Sequence, residues 1–260
     1  MAAARLWAAL AIGSMVAVAQ GDFRAPQYTA GSITNAASNE VGAYAPNTFI
    51  SIYGVNLSNI QVVLSQNSLL QSTGPATSPV SVILGLTHAY LFYLSPGQLN
   101  LLLPSNLVAG PTSIQVVRDG VSGAVIPLTL TAAAPALFEL RDRYVIATTP
   151  VFTLVDAQHP AKAGDVVILW ATGLGSTVPR APADSIARSP AVLGDMAKFQ
   201  VFLNGIPVDN KNILYAGLAP GYAGLFQVNL RLPENTPVDP EVVLNVSGDR
   251  SPAGRKLFVR

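Results

Sequence analysis

The chain has 260 residues, of which 50% are hydrophobic and 11% charged, with 20 prolines, 21 glycines and no cysteine. Collagen-like and disordered classes are excluded, because apolar content is high and no three-residue glycine period exists; disulfide frameworks and thiolate metal sites are excluded with the thiols. The formal net charge is +1, from 15 basic and 14 acidic residues, so nothing draws the chain electrostatically to nucleic acid or anionic lipid.

Residues 1–19 read as a secretory signal. Arg5 is the only charge, an apolar run follows from Leu6, and Ala17-Val18-Ala19 supplies a small-x-small cleavage site. A membrane helix needs about 20 apolar residues, so the run is short for a span; a retained anchor is the alternative. Loss of Arg5 brings the net charge to 14 − 14 = 0. Export without cysteine implies a bacterial protein of the periplasm, cell surface or medium. Its domains must hold together by burial, with no membrane span after cleavage.

Residues 20–43 form a polar lead-in. In residues 44–135, the first expected domain, Ala45-Pro46-Asn47-Thr48 is a turn signal and Phe49–Tyr53 a β-rich run closed by Gly54. Residues 61–64 suggest a short strand, and residues 66–79 a long Ser/Thr/Gly/Pro loop. Residues 80–84 and 89–94 look like strands paired around Gly85-Leu86-Thr87-His88, and residues 113–118 and 124–130 like a hairpin across Asp119-Gly120. Residues 136–159 are apolar rather than Gly/Ser-rich, so they are expected to pack on the second domain instead of forming a free linker.

In residues 160–260, the second expected domain, residues 166–170 answer Phe49–Tyr53. Residues 176–196 read as a long loop with one helical turn near 184–188. Residues 198–203 and 213–215 flank Asn204-Gly205, and residues 241–246 and 256–259 finish the sheet. No window sustains a helical period, so the whole chain is expected to be all-β.

One stretch occurs twice. Residues 95–104 read Ser-Pro-Gly-Gln-Leu-Asn-Leu-Leu-Leu-Pro and residues 224–233 read Gly-Leu-Phe-Gln-Val-Asn-Leu-Arg-Leu-Pro. Gln98, Asn100 and Pro104 align with Gln227, Asn229 and Pro233 at one offset, 227 − 98 = 129. Successive strand side chains point to opposite faces, so Leu99, Leu101 and Leu103 share a core face, as do Phe226, Val228, Leu230 and Leu232. Proline ends each run because it cannot donate to the ladder. The pattern predicts one strand used in two tandem β-sandwiches related by internal duplication. The Gln-x-Asn amides are expected to hydrogen-bond the backbone of neighbouring loops. Tyr93 to Gln98 is 5 residues and Tyr215 to Gln227 is 12, so the second copy carries 7 more, Tyr222 among them.

Candidate chemistry is sparse. His88 and His159 are the only histidines, each in an expected turn, and no Gly-x-Ser-x-Gly elbow occurs after the signal. Separated by 71 residues (159 − 88), they make a poor zinc pair. Asp142, Asp156, Asp165 and Asp184 lack the Asp-x-Asp-x-Asp spacing of a calcium loop. Gly173-Leu174-Gly175 fits a hairpin or bulge better than a nucleotide loop, since no helix comes after it. No catalytic residue, cofactor or metal is therefore expected. Tyr44, Tyr53, Tyr90, Tyr93, Trp170, Tyr215 and Tyr222 suit core or turn packing first; exposed ones could stack on a sugar or anchor a partner. Tyr222, in the extra loop, is the candidate ligand contact.

Several ordered motifs resemble one known family. They are Pro46 with Ile52-Tyr53-Gly54-x-Asn56-Leu57, Ser95-Pro96-Gly97-Gln98-x-Asn100 and Ala134-Pro135-Ala136-Leu137-Phe138. Pro160-Ala161-x-x-Gly164-Asp165, Ala171-Thr172-Gly173-Leu174-Gly175 and Tyr215-Ala216-Gly217-Leu218-Ala219-Pro220-Gly221 with Gln227-x-Asn229 continue the set. It is similar to the Solibacter-type uncharacterised C-terminal domain of exported acidobacterial proteins, over residues 33–260. Each half also resembles, more loosely, an IPT/TIG immunoglobulin-like domain. The resemblance implies two tandem immunoglobulin-like β-sandwiches with no established activity. It fits an exported recognition or scaffolding module whose partner is a protein or a polysaccharide. A carbohydrate-binding module is the alternative, and a hydrolase using loop acids a distant third. Asn47 stands where the family often has glycine, which should alter the turn and leave the fold.

Overall fold

In a computed structural model describing residues 24–63, 70–71, 79–182 and 187–260, the apolar/polar alternation becomes two layered sandwiches. The expected signal, residues 184–186 of the expected helical turn and most of the 66–79 loop lie outside the described residues. No α-helix occurs among the described residues, and no helix there is long and apolar enough to cross a membrane.

The first half runs β1 (Ile33–Asn35), β2 (Phe49–Tyr53), β3 (Val62–Val63), β4 (Leu70–Gln71), β5 (Val80–Leu84), β6 (Thr87–His88), β7 (Tyr90–Leu94), β8 (Gln98–Leu102), β9 (Gly110–Arg118), β10 (Val121–Ser122) and β11 (Ile126–Leu130). One sheet has the order β1-β2-β8-β7-β3, with β4 also on β7; the other is β10-β9-β5-β6, with β11 also on β9.

The second half runs β12 (Ala136–Leu137), β13 (Ala147–Thr148), β14 (Val166–Thr172), β15 (Thr177–Val178), β16 (Ala191–Leu193), β17 (Phe199–Leu203), β18 (Ile206–Pro207), β19 (Ile213–Leu218), β20 (Phe226–Arg231), β21 (Val242–Val246) and β22 (Asp249–Arg250). Its sheets are β12-β14-β20-β19-β16-β15, with β13 on β14, and β18-β17-β21-β22. Neighbouring strands pair antiparallel, giving each half the two-layer architecture that an immunoglobulin-like reading requires.

Each sandwich has its own core. Ile33, Ile52, Leu84, Leu99 and Val116 fill the first; Leu169, Phe199, Phe226, Val228 and Leu244 fill the second. Burying each such aliphatic or aromatic side chain contributes roughly 1.5–3 kcal/mol. From the segment 136–159, β12 and β13 both pair with β14, and Val155 belongs to the second core.

The repeated strand occupies the same place in both sandwiches. β8 lies between β2 and β7, and β20 between β14 and β19. Tyr53 faces Gln98 as Trp170 faces Gln227; Tyr93 faces Asn100 as Tyr215 faces Asn229. Both ladders break register at the next step, between Leu91 and Tyr93 and between Ile213 and Tyr215.

Both strands also end alike. Leu103 N donates to Thr48 O and receives Asn47 N on its carbonyl; Leu232 N donates to Asp165 O and receives Gly164 N. Asn47 (φ 62) takes the left-handed conformation that Gly164 (φ 83) takes, so the expected change of turn does not occur. Asparagine tolerates that region better than other side chains do.

Two local expectations are corrected. Residues 80–84 and 89–94 do not pair with each other: β5 pairs with β6 and β9, and the chain crosses at Ala89 into the other sheet as β7. The second half repeats this, with β17 pairing β18 while β19 joins the opposite layer. Within the expected 176–196 loop, β15 and β16 form a short ladder extending the sheet from β19.

Candidate functional site: the outer faces of the repeated strand

With leucines turned inward, β8 turns Gln98 and Asn100 to the outer face. Register then fixes their neighbours there. Thr34, Ser51, Asn100 and Tyr93 form one row across four strands, and Tyr53 lies beside Gln98 in the next. Gln98 Nε2 donates to Asn100 Oδ1 over 2.8 Å, and Ser51 Oγ donates to the same oxygen over 2.9 Å. The amides therefore bond side chains on their own face, not the loop backbone expected from sequence. Both amides are half-buried and Tyr53 is 38% exposed, so an aromatic ring stands at the surface beside a hydrogen-bonded amide pair.

The matching face of the second sandwich is more built over, although Phe152 is itself 69% exposed and the Gln227 and Asn229 side chains are half-buried like those of the first. Phe152 (φ 62) lies over Trp170, with ring centroids 6.4 Å apart and planes at 25°, while Trp170 Nε1 donates to Thr148 Oγ1 over 3.2 Å. Tyr215 lies over Gly217 and donates to Leu218 O over 2.7 Å. A Cβ on Gly217 would sit 2.2 Å from Ala191 O and 2.7 Å from that hydroxyl, so glycine makes room for the β16 backbone and the phenol together. Burial pushes the Tyr215 phenol up from its ordinary value. Asn229 Oδ1 is buried with no hydrogen-bond partner.

The extra loop of the second copy docks on the first half. Tyr90, Leu102 and Ala223 form a small buried cluster, joined by Phe49 and Phe92. Phe49 meets Phe92 edge-on at 5.2 Å and Phe138 at 6.2 Å. Thr172 Oγ1 accepts from Phe49 N over 3.0 Å, and Ser105 Oγ donates to Ala181 O over 2.9 Å. Gly224 (φ 64) lets the loop approach: a Cβ there would lie 2.2 Å from Leu102 Cδ1.

Tyr222, 38% exposed, lines a cleft at this junction with Asn47, Ser105 and Ala187. Its free volume is about 10 Å³, room for about one water.

At the other side of the junction, the buried Arg255 donates from Nε to Glu139 and from Nη2 to Glu40, each over 2.7 Å. Burial works against its charge, and the two carboxylates outweigh it, holding the guanidinium pKa above its ordinary value.

The residues weighed for catalysis are not brought together. His88 Nδ1 lies 2.9 Å from Ser81 Oγ in the first sandwich. The exposed His159 pairs with Asp156 over 3.2 Å, and the His159 backbone N–H foremost, with that of Gln158 and the imidazole contact, holds Asp156 below the usual carboxylate range. Asp165 Oδ2 accepts from Lys162 N over 2.8 Å, closing the turn that precedes β14. Among the described residues no group of three or more His, Asp or Glu is placed to hold a metal ion. Pro104 and Pro233 do only what their backbone predicts, following the last paired residue of each strand. What sequence reading missed is that Phe152 stacks on Trp170 in the second sandwich, while among the described residues no ring stacks on the equivalent Tyr53.

No family model and no curated protein matches the chain. Among solved structures it is similar to a surface glycan-binding protein of Prevotella bryantii, at 13% identity and TM-score 0.29, covering 90% of this chain and 42% of that one. It is also similar to a glycan-binding protein of the Bacteroides ovatus mixed-linkage glucan utilization locus, in complex with a heptasaccharide. There the identity is 13% and the TM-score 0.34, covering 84% of this chain and 43% of that one. A third is the N-terminal Ig1-2 module of the Drosophila receptor tyrosine phosphatase DLAR, at 13% identity and TM-score 0.20, covering 91% and 96%. The chain thus spans less than half the length of both glycan-binding neighbours. Scores this low carry no function across.

Proposed function

We propose that the chain is an exported, non-enzymatic recognition or scaffolding module of the bacterial envelope, of the Solibacter-type C-terminal domain family. In this reading its two sandwiches, β1–β11 and β12–β22, descend from one duplicated unit. The matched registers of Gln98 and Gln227 support the duplication. The observation that carries the functional reading is the junction. Aromatic packing, the Gly224 approach and the Arg255 pairs lock the halves together, while Tyr53 and its amide neighbours remain at the surface. A rigid body that presents one unfilled polar–aromatic face is what a recognition module needs, because preorganisation lowers the entropic cost of binding.

Two measurements test this. N-terminal sequencing of protein recovered from the envelope or medium is expected to start at Gln20; recovery from the cytoplasm with residues 1–19 intact would overturn export. A screen of ester, glycoside and peptide substrates is expected to show no turnover. Hydrolysis lost on His159→Ala would overturn the non-enzymatic reading.

A further inference from the structure

Tyr53 does more than edge the amide row. It also edges a shallow, widely open groove of about 490 Å³ between the lead-in and the first sandwich, with Gln27, Tyr28, Ser32, Val55 and Ala124 among its other lining residues. The groove is built, not incidental. Gln27 and Val55 exchange two backbone hydrogen bonds of 3.0 Å, fixing the lead-in against the end of β2. Gly54 permits that approach, since a Cβ there would lie 2.2 Å from Gln27 O. The Tyr28 hydroxyl accepts from Val116 N over 2.8 Å and donates to Ala124 O, so the opposite wall is pinned too.

The chemistry of the lining selects a ligand. None of its side chains carries a charge, which leaves an anionic or cationic ligand with no counter-charge to replace its water. Tyr53 (38% exposed) and Val55 (54%) supply apolar surface, and among the described residues no hydrogen bond holds the exposed Gln27 amide. The Ser32 hydroxyl is already engaged, donating to Thr29 O and accepting from Thr29 N, each over 2.9 Å, so it offers a ligand at most an acceptor lone pair. An aromatic face with neutral donors and acceptors around it matches a pyranose ring, apolar on its C–H face and hydroxylated at its rim. The volume lies within the range of small-ligand sites, about 300–1,000 Å³.

We infer that this groove binds a neutral polysaccharide, with Tyr53 as the stacking platform and Gln27 as a hydrogen-bonding partner. The inference rests on the recognition reading above and moves the candidate contact from Tyr222 to Tyr53. A polypeptide in the same groove is the competing occupant.

The test is affinity electrophoresis of the purified protein in gels containing soluble β-glucan, xylan, galactomannan or, as the anionic control, polygalacturonate. Retardation is expected on at least one neutral polymer and not on polygalacturonate. Tyr53→Ala should weaken it about tenfold or more, as loss of an aromatic anchor does. Tyr53→Phe should keep binding within a few-fold, and Tyr222→Ala should leave it unchanged. Unaltered melting of the Tyr53 variants separates lost contact from lost fold. Migration unaffected by every neutral polymer, or retardation that survives Tyr53→Ala, overturns the inference. If envelope protein were then captured by wild type and not by Tyr53→Ala, the groove would hold a polypeptide. In that case the carbohydrate inference fails while the recognition reading stands.

Discussion

The outer faces of β8 and β20 begin from the same register and end in different surroundings. Both set a Gln-x-Asn pair between two aromatic residues, Tyr53 and Tyr93 in one sandwich and Trp170 and Tyr215 in the other. In the second, Phe152 covers Trp170 and Tyr215 folds over Gly217. In the first, Tyr53 remains at the surface and the amides bond each other and Ser51. A duplicated strand can thus be kept for its core face while its outer face diverges, because period-two alternation decouples the two faces. The second sandwich holds residues 136–159 through its core and the edge of β14, and only Thr148 and Phe152 of that segment reach its outer face at Trp170. The first keeps its face free, and the binding hypothesis belongs there.

The comparison is broken most severely through the cores. Phe226→Ala removes a fully buried ring of the second sandwich and should cost about 3–5 kcal/mol; Leu99→Ala in the first should cost about 2–5 kcal/mol. With the junction intact, both variants should lower one shared transition in chemical denaturation followed by far-UV circular dichroism and tryptophan emission. Two separate transitions in the wild type would mean that the halves are anchored far less firmly than the packing implies. Gly224→Ala attacks the junction itself. The added methyl meets Leu102 at 2.2 Å and must also hold φ 64, so it should cost about 1–3 kcal/mol and split the transition.

A smaller effect separates the turns that close each repeated strand. Asn47→Gly should shift stability by less than about 1 kcal/mol, because the left-handed backbone is already tolerated there. Gly164→Ala should cost about 1–2 kcal/mol, because its Cβ would meet Glu234 Oε1 at 3.0 Å in a conformation alanine avoids. Thermal melts of the two variants would show whether the turns are as equivalent as their hydrogen bonds.

How far the sequence discloses this architecture depends on the range of the interactions involved. Alternation along residues 98–103 and 226–232 is local, so strand, core face and repeat are all legible. The crossing at Ala89 is not, because a two-residue β6 satisfies the same turn signal as a longer hairpin. β15 and β16 escape notice because strands of two or three residues among prolines carry no measurable period. The different surroundings of Tyr53 and Trp170 are the least legible feature. Whether Trp170 is covered depends on Phe152, which approaches from a loop 18 residues away in sequence (170 − 152).

The subtlest difference between the faces gives a pair of substitutions expected to differ in sign. Asn100 Oδ1 accepts two hydrogen bonds, and Ser51 beneath it is 3% exposed. Asn100→Leu would leave that hydroxyl buried without its acceptor, a loss of about 1–3 kcal/mol. Asn229 stands at the equivalent place, yet its Oδ1 is buried without a partner, so its desolvation is uncompensated. Asn229→Leu removes that oxygen and keeps the side-chain volume, so it should be neutral or stabilise by up to about 1 kcal/mol. Urea titrations of both variants give the comparison directly. Equal destabilisation would mean that the second face makes polar contacts matching those of the first, and the distinction between the two faces would fail.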